Sequence, residues 1–286
     1  MATHTFTPHP ILKCFQKISL TYHGWNPSAK EKSKWFISQI LPYINGVEKF
    51  SKKELRAWVS NSAEEINEIL KKEGFDIRLH DLRPGETAFL SILQILLKWI
   101  TPGTECVIRR PGDLKEYPGV FLRKGFQVLA SSNHADSIIC IQSKNGDQVF
   151  MTIADEELKD FKLFKKIEML DIGIELAELT NISSVKFPMI DLDQQPDISW
   201  LQGTYHHQEG VIAQAKQQTK FKMNEKGALL ESAVAITTMK CCLHNKKEIT
   251  INQPFYLWIK RPGVSLPIFC AYMDTASWKK PDLDVT

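Results

Sequence analysis

The stretch 219–269 constrains this chain more than any other. Phe221 and Met223 alternate as in a strand and then meet Glu225-Lys226-Gly227. From Ala228 a run rich in small and β-branched residues follows, with no proline until Pro254. Apolar runs resume at 249–251 and 255–259. Strand residues alternate faces. If Ala228 faces a core, Leu230, Ser232, Val234, Ile236 and Thr238 face it too, while Leu229, Glu231, Ala233, Ala235 and Thr237 face out. That puts Glu231, the one charge between Ala228 and Thr238, in water. No proline interrupts a ladder here, and Val234, Ile236, Thr237 and Thr238 favour strand. The segment is able to enter a sheet.

The rest of the chain can supply that sheet. Its 286 residues are 43% hydrophobic and 24% charged, enough for one large core. A net charge of +3, with no Gly-rich phosphate loop, finger spacing or aromatic-basic array, argues against nucleic acid. The most apolar run, 88–97, is short and interrupted by Ser91 and Gln94, so no membrane span is expected. The start, MATHTFTPHPILKCF, lacks a basic n-region and an apolar h-region. A cytoplasmic location is the default expectation and an extracellular one the alternative. The sequon Asn181-Ile182-Ser183 matters only in the second case. Six cysteines (Cys14, Cys106, Cys140, Cys241, Cys242, Cys270) show no CxxC spacing, so no disulfide framework is expected. Cys140 and Cys270 read as small buried strand residues.

Leu12, Phe15, Ile18 and Leu20 allow a short amphipathic helix or a mixed segment. Trp35, Ile37, Ile40, Leu41 and Ile44 have the spacing of a helical face, limited by Pro42. Ser51 and Glu54 have capping-box spacing, and Leu55, Val59, Ile66, Ile69 and Leu70 predict a helix within 51–72, ended by Gly74. The run 88–97 is a buried helix or a buried central strand. Strands are expected at 119–122, 126–131, 137–142 and 148–153, the last two joined by a turn at Asn145-Gly146. Residues 155–180 read as helical and 185–192 as strand. Helices first and antiparallel strands later give an α+β chain of one domain, 1–286.

Several motifs, in order, resemble the serpin family. Trp58-Val59 and the helix ending at Leu70 resemble the family's helix over the main sheet. The run 89–99, ending Leu97-Lys98-Trp99, resembles the third strand of that sheet. Residues 136–155 resemble a hairpin, 185–190 the sixth strand, and 219–227 the fifth strand with its hinge. Asn252-Gln253-Pro254-Phe255 and Pro267-Ile268-Phe269 are similar to the family's C-terminal strand motifs. The likeness spans 52–281, with 1–51 as a shortened, divergent helical region. It implies a large, mainly antiparallel sheet with helices packed on it and an exposed reactive-centre loop.

The resemblance also implies a function. Serpins inhibit serine-type (or cysteine-type) endopeptidases by being cleaved in that loop, which then inserts into the sheet as a new strand. In the family's register the hinge is Glu225, Gly227, Ala228 and Leu230. The reactive bond is Cys241-Cys242, or Lys240-Cys241 if the loop is one residue shorter. The positions that normally control sheet opening are held by Ser91 and Gln217, with Trp99 as a structural anchor. Leu230 is bulkier than inhibitory members favour, and overpacking costs about 1–3 kcal/mol. A non-inhibitory serpin-like binding or scaffold protein is the alternative expectation. The partner implied is an endopeptidase, and the chain is expected to be a monomer.

Other residue clusters carry less. His206-His207 with Glu209 has no third ligand at helical or hairpin spacing, so a solvated loop is expected rather than a metal site. Ser131, Ser132, His134 and Asp136 lie too close in sequence for a catalytic triad. No enzyme activity, cofactor or metal is expected.

Overall fold

A computed structural model describes residues 2–19, 23–95, 97–178, 182–207, 210–228 and 247–282. In chain order its first half contains β1 (His4–Phe6), α1 (Pro8–Ile18), β2 (Trp25–Asn26), α2 (Glu31–Gln39), β3 (Leu55–Ser60), α3 (Ala63–Lys72), β4 (Ala88–Leu93), β5 (Leu97–Lys98), β6 (Thr104–Arg109), β7 (Glu116–Leu122), β8 (Phe126–Ser131) and β9 (His134–Gln142). Then come β10 (Gln148–Ile153), α4 (Asp160–Ile172), β11 (Ile174–Glu178), β12 (Ile182–Pro188), β13 (Ile190–Gln194), β14 (Tyr205–His206), β15 (Gly210–Val211), β16 (Thr219–Met223), β17 (Gly227–Ala228), β18 (Lys247–Thr250), β19 (Phe255–Lys260) and β20 (Phe269–Met273). A 3-10 stretch, Leu41–Lys49, follows α2.

The largest sheet has seven antiparallel strands in the order β1-β20-β19-β10-β9-β8-β11. Its centre reads as continuous apolar sequence because both faces are covered: Phe255, Tyr256, Leu257 and Trp258 are all fully buried. Cys140 and Cys270 sit in it as buried free thiols. The β9–β10 turn needs a left-handed residue, and Gly146 supplies it at φ +89°. A four-stranded sheet, β18-β12-β7-β6, and a second one, β13-β16-β17-β5, flank this core. β3 and β4 form a pair of their own.

α1 begins with Pro8 and Pro10, which suit a first helical turn, and buries Ile11, Leu12 and Phe15. Phe15 packs 4.4 Å from Trp25 and 5.5 Å from Phe36, ring centre to ring centre. α4 docks on the large sheet through Phe164, 5.5 Å from Phe6. α3 is capped by the Ser62 hydroxyl, which accepts from the Glu65 amide at 3.2 Å. Glu64 and Glu65 in its first turn, and Lys71 and Lys72 in its last, complement its dipole. Helices packed against mainly antiparallel sheets make the molecule α+β.

Several sequence expectations are corrected. The Ser51–Glu54 capping box exists, with bonds of 2.9 and 3.3 Å, but it closes a turn. Leu55–Ser60 leaves that turn as a strand, paired residue for residue with Ala88–Leu93. Trp58 and Val59 therefore lie on β3, not on a helix, and only 63–72 is helical. Pairing across 30 residues outweighs local periodicity there. The same pairing resolves 88–97 as strand, broken between β4 and β5. The N-terminal 51 residues are not purely helical. β1 closes one edge of the large sheet against Cys270–Tyr272. Residues 155–180 hold a helix only over Asp160–Ile172, followed by β11. The 185–192 segment divides at Met189 between two sheets. His206 is not on a solvated loop: it is buried on β14 against Trp25, 5.2 Å away.

Candidate functional site: a gap between two strands

Trp99, Asn224 and Gly227 build one end of the site. The Asn224 side-chain oxygen accepts from the amides of Lys226 (2.9 Å) and Gly227 (3.2 Å), an Asx turn that reverses the chain after β16. The Asn224 amide donates to the Gly227 carbonyl at 2.8 Å, closing a hairpin around Glu225-Lys226. Trp99 is fully buried beneath, and its indole N–H donates to the Asn224 carbonyl at 3.1 Å. Its backbone amide donates to the Lys226 carbonyl at 3.1 Å. The Glu225 carbonyl accepts from Gly103 at 2.7 Å. The turn before Gly227 is thus fixed from several directions.

That turn inserts β17 between β5 and β16. Gly227 pairs with Lys98, and Ala228 pairs with both Leu97 and Met223. Only glycine fits at 227: a Cβ there would sit 2.1 Å from the Leu97 carbonyl oxygen. Ala228 is buried at 2% exposure. Past this point the two flanking strands part. β4 pairs on one side only, with β3, and β16 pairs along its length only with β13. Among the described residues no strand lies between them. The space is a cavity of about 850 Å³, walled by β4, by 210–222, and by α1 residues such as Ile11 and Phe15.

A strap crosses from α3 to the far wall. Its half-buried residues Phe75, Ile77 and Leu79 point to the apolar cluster of Ile66, Leu70 and Leu90, and line the cavity. Two glutamines on the 210–222 wall hold it. Gln214 accepts from the His80 amide (3.0 Å) and donates to the His80 carbonyl (3.1 Å). Gln218 accepts from the amides of Asp76 (2.7 Å) and Ile77 (3.2 Å). Lys220 donates to the Gly74 carbonyl at 2.7 Å. At the end of α3, Arg56 meets Glu73 through two bonds of 2.7 and 2.6 Å and holds its carboxyl below the usual carboxylate range. Cys14, on the cavity wall, is an inert thiol, pushed up to about 12 by burial.

The other sequence-derived positions fall as follows. Ser91 and Gln217 both line the cavity, but no hydrogen bond joins them. The Ser91 hydroxyl is buried without a partner among the described residues, and Gln217 donates to the Thr7 carbonyl at 3.2 Å. Glu225 is half-buried in the turn. Leu230, Lys240, Cys241 and Cys242 lie outside the described residues. Sequence reasoning missed Asn224, whose Asn-x-x-Gly spacing is a recognisable Asx-turn signal, and it missed the glutamine clasp, which has no local signature. Among the described residues no three potential metal ligands converge, and no helix is long and apolar enough to cross a membrane.

No family model and no curated protein matches the sequence. Solved structures do. The chain is similar to Serpin48, described as a highly specific serpin of the insect Tenebrio molitor, at 11% identity and TM-score 0.63, over 95% of this chain and 91% of that one. It is similar to thyroxine-binding globulin in complex with thyroxine (11% identity, TM-score 0.60, 97% and 93% covered). A third likeness is to the mouse protein Z-dependent protease inhibitor (12% identity, TM-score 0.60, 95% and 90% covered). Identity this low speaks to architecture alone, and at that level the chain has the serpin fold.

Proposed function

We propose that the chain is a conformational trap for a serine- or cysteine-type endopeptidase, with the segment after Ala228 as bait. The observation that carries the reading is the position of Gly227-Ala228. They are already laddered between β5 and β16, at the head of the gap between β4 and β16. A chain cut further on could continue that ladder. Ala228 is buried, so in such an added strand alternation would turn Leu230, Ser232, Val234, Ile236 and Thr238 inward and Glu231 outward. Strand addition then covers apolar surface and pairs two open edges. Two of the structurally similar proteins are described as a serpin and a protease inhibitor. The reactive bond is Cys241-Cys242, or Lys240-Cys241.

A non-inhibitory binding role is the second reading. It is favoured by the clasp of Gln214, Gln218 and Lys220, which ties the strap over the gap, and by the bulk of Leu230. One experiment separates the two. The protein is mixed with trypsin-, elastase- and cathepsin-type proteases, and complexes stable to detergent are sought. In parallel it is nicked in 229–246, the cut is located by mass spectrometry, and thermal unfolding is compared before and after. The trap reading expects a covalent complex with at least one protease and a large rise in unfolding temperature after nicking. Cleavage with neither result rejects it and leaves the binding role.

A further inference from the structure

Arg78, on the strap, and Lys216, on the opposite cavity wall, are two cations that line the same cavity. Each lies midway between the two glutamine clasps, Asp76–Gln218 on one side and His80–Gln214 on the other. Both are exposed, both line the cavity, and among the described residues neither forms an ion pair. Lys220 nearby differs in being paired with Asp193 at 2.9 Å. One arm of the Arg78 guanidinium donates to the Phe75 and Ile77 carbonyls, both at 2.6 Å, which fixes the group and leaves its other N–H donors open. Two exposed cations beside an apolar cavity suit an anionic group. Behind this pair the cavity is apolar, walled by side chains such as Ile11, Phe15, Leu90, Ile92 and Phe269. Its volume, about 850 Å³, lies within the ~300–1,000 Å³ of small-molecule sites.

We propose that the cavity binds an amphipathic monoanion: an extended apolar body lies along β4, and a carboxylate-type head sits between Arg78 and Lys216. The charge pair selects the head, and the strap residues Phe75, Ile77 and Leu79 cover the body. The site does not depend on loop cleavage. It does share its space with any strand that enters between β4 and β16, so a bound anion and an inserted loop exclude each other.

The test is titration of the intact full chain with decanoate, below its micelle concentration, and with decanol as the uncharged probe of the same length. Saturable decanoate binding is expected. The double variant Arg78→Gln/Lys216→Gln, at two exposed positions, should bind decanoate about tenfold or more weakly, a loss of ~1.4 kcal/mol or greater. Its affinity for decanol should be unchanged. Ala215→Trp, which puts an indole on the cavity wall, should weaken both probes. The proposal is overturned if decanoate shows no saturable binding, if the double variant binds it as the parent does, or if Ala215→Trp changes neither probe. A nicked sample separates this from the trap. If the loop inserts, nicking abolishes decanoate binding. If insertion fails, the nicked chain binds as before and the cavity site stands without the trap.

Discussion

Gly227 is a residue whose sequence context understates its role. A glycine between two strand-like runs suggests a turn that needs unusual φ. Here the constraint is a missing side chain, because a Cβ would lie 2.1 Å from the Leu97 carbonyl oxygen. Gly227→Ala should push β17 away from β5 and lower the urea midpoint by an amount equal to about 1–3 kcal/mol. An unchanged midpoint would show that the two backbones do not approach so closely. Arg261 is a second such residue. It donates to both Asp147 oxygens at 2.8 Å and to Glu54 at 2.7 Å, and the Asp147 side chain is 1% exposed. Arg261→Ala strands a buried carboxylate and should cost about 3–5 kcal/mol in denaturant unfolding, whereas truncating a surface ion pair costs little.

At the scale of elements, the strap and its clasp form one wall of the gap. The bonds to Gln214 and Gln218 are partly exposed, so each contributes roughly 0.5–1.5 kcal/mol, towards the lower end. The double variant Gln214→Ala/Gln218→Ala should leave the large sheet intact and free the strap. Amide hydrogen exchange at Asp76, Ile77 and His80 should then accelerate about tenfold or more, the equivalent of ~1.4 kcal/mol. Unchanged protection at those amides would mean that apolar packing of Phe75, Ile77 and Leu79 holds the strap by itself. The β3–β4 pair teaches a related point about sequence. Ser51-Glu54 and the Leu55–Leu70 spacing carry a clear helical signal, and the bonds of a capping box form, yet Leu55–Ser60 is a strand. Its partner, Ala88–Leu93, is remote in sequence, so no local window could register it.

Across the whole molecule, folding takes His9 out of water. His9 is 1% exposed, its Nδ1 has no partner among the described residues, and it packs on Phe50 at 4.8 Å. Burial first, and the Arg261 charge second, lower its pKa from 6.5 to about 3. The unfolded chain therefore binds a proton between those values that the folded chain refuses. Stability from this group is complete above pH 6.5 and falls as pH drops towards 3, by about 1.4 kcal/mol per unit. At pH 5 the loss is about 2 kcal/mol. His9→Phe should flatten this part of the pH dependence, measured as the difference between the two proteins in urea unfolding from pH 7 to 4. Parallel curves would show that His9 is not held neutral by the core.

What the sequence determined by itself is the set of local facts that depend on near neighbours. These include the apolar strands at 255–259, the Asn145-Gly146 turn, the end of α3 at Gly74, the buried Cys140 and Cys270, and the order of motifs that resembles a serpin. All but the last follow from periodicity, turn chemistry or burial within about ten residues. The tertiary structure alone decided the rest: that 55–60 is a strand, that 185–192 serves two sheets, that β17 enters between β5 and β16, and that a strap and two glutamines cover a cavity behind Arg78 and Lys216. These depend on partners tens to more than a hundred residues away. A gap between strands is defined by which edges stay unpaired, and pairing is a property of the assembled sheet.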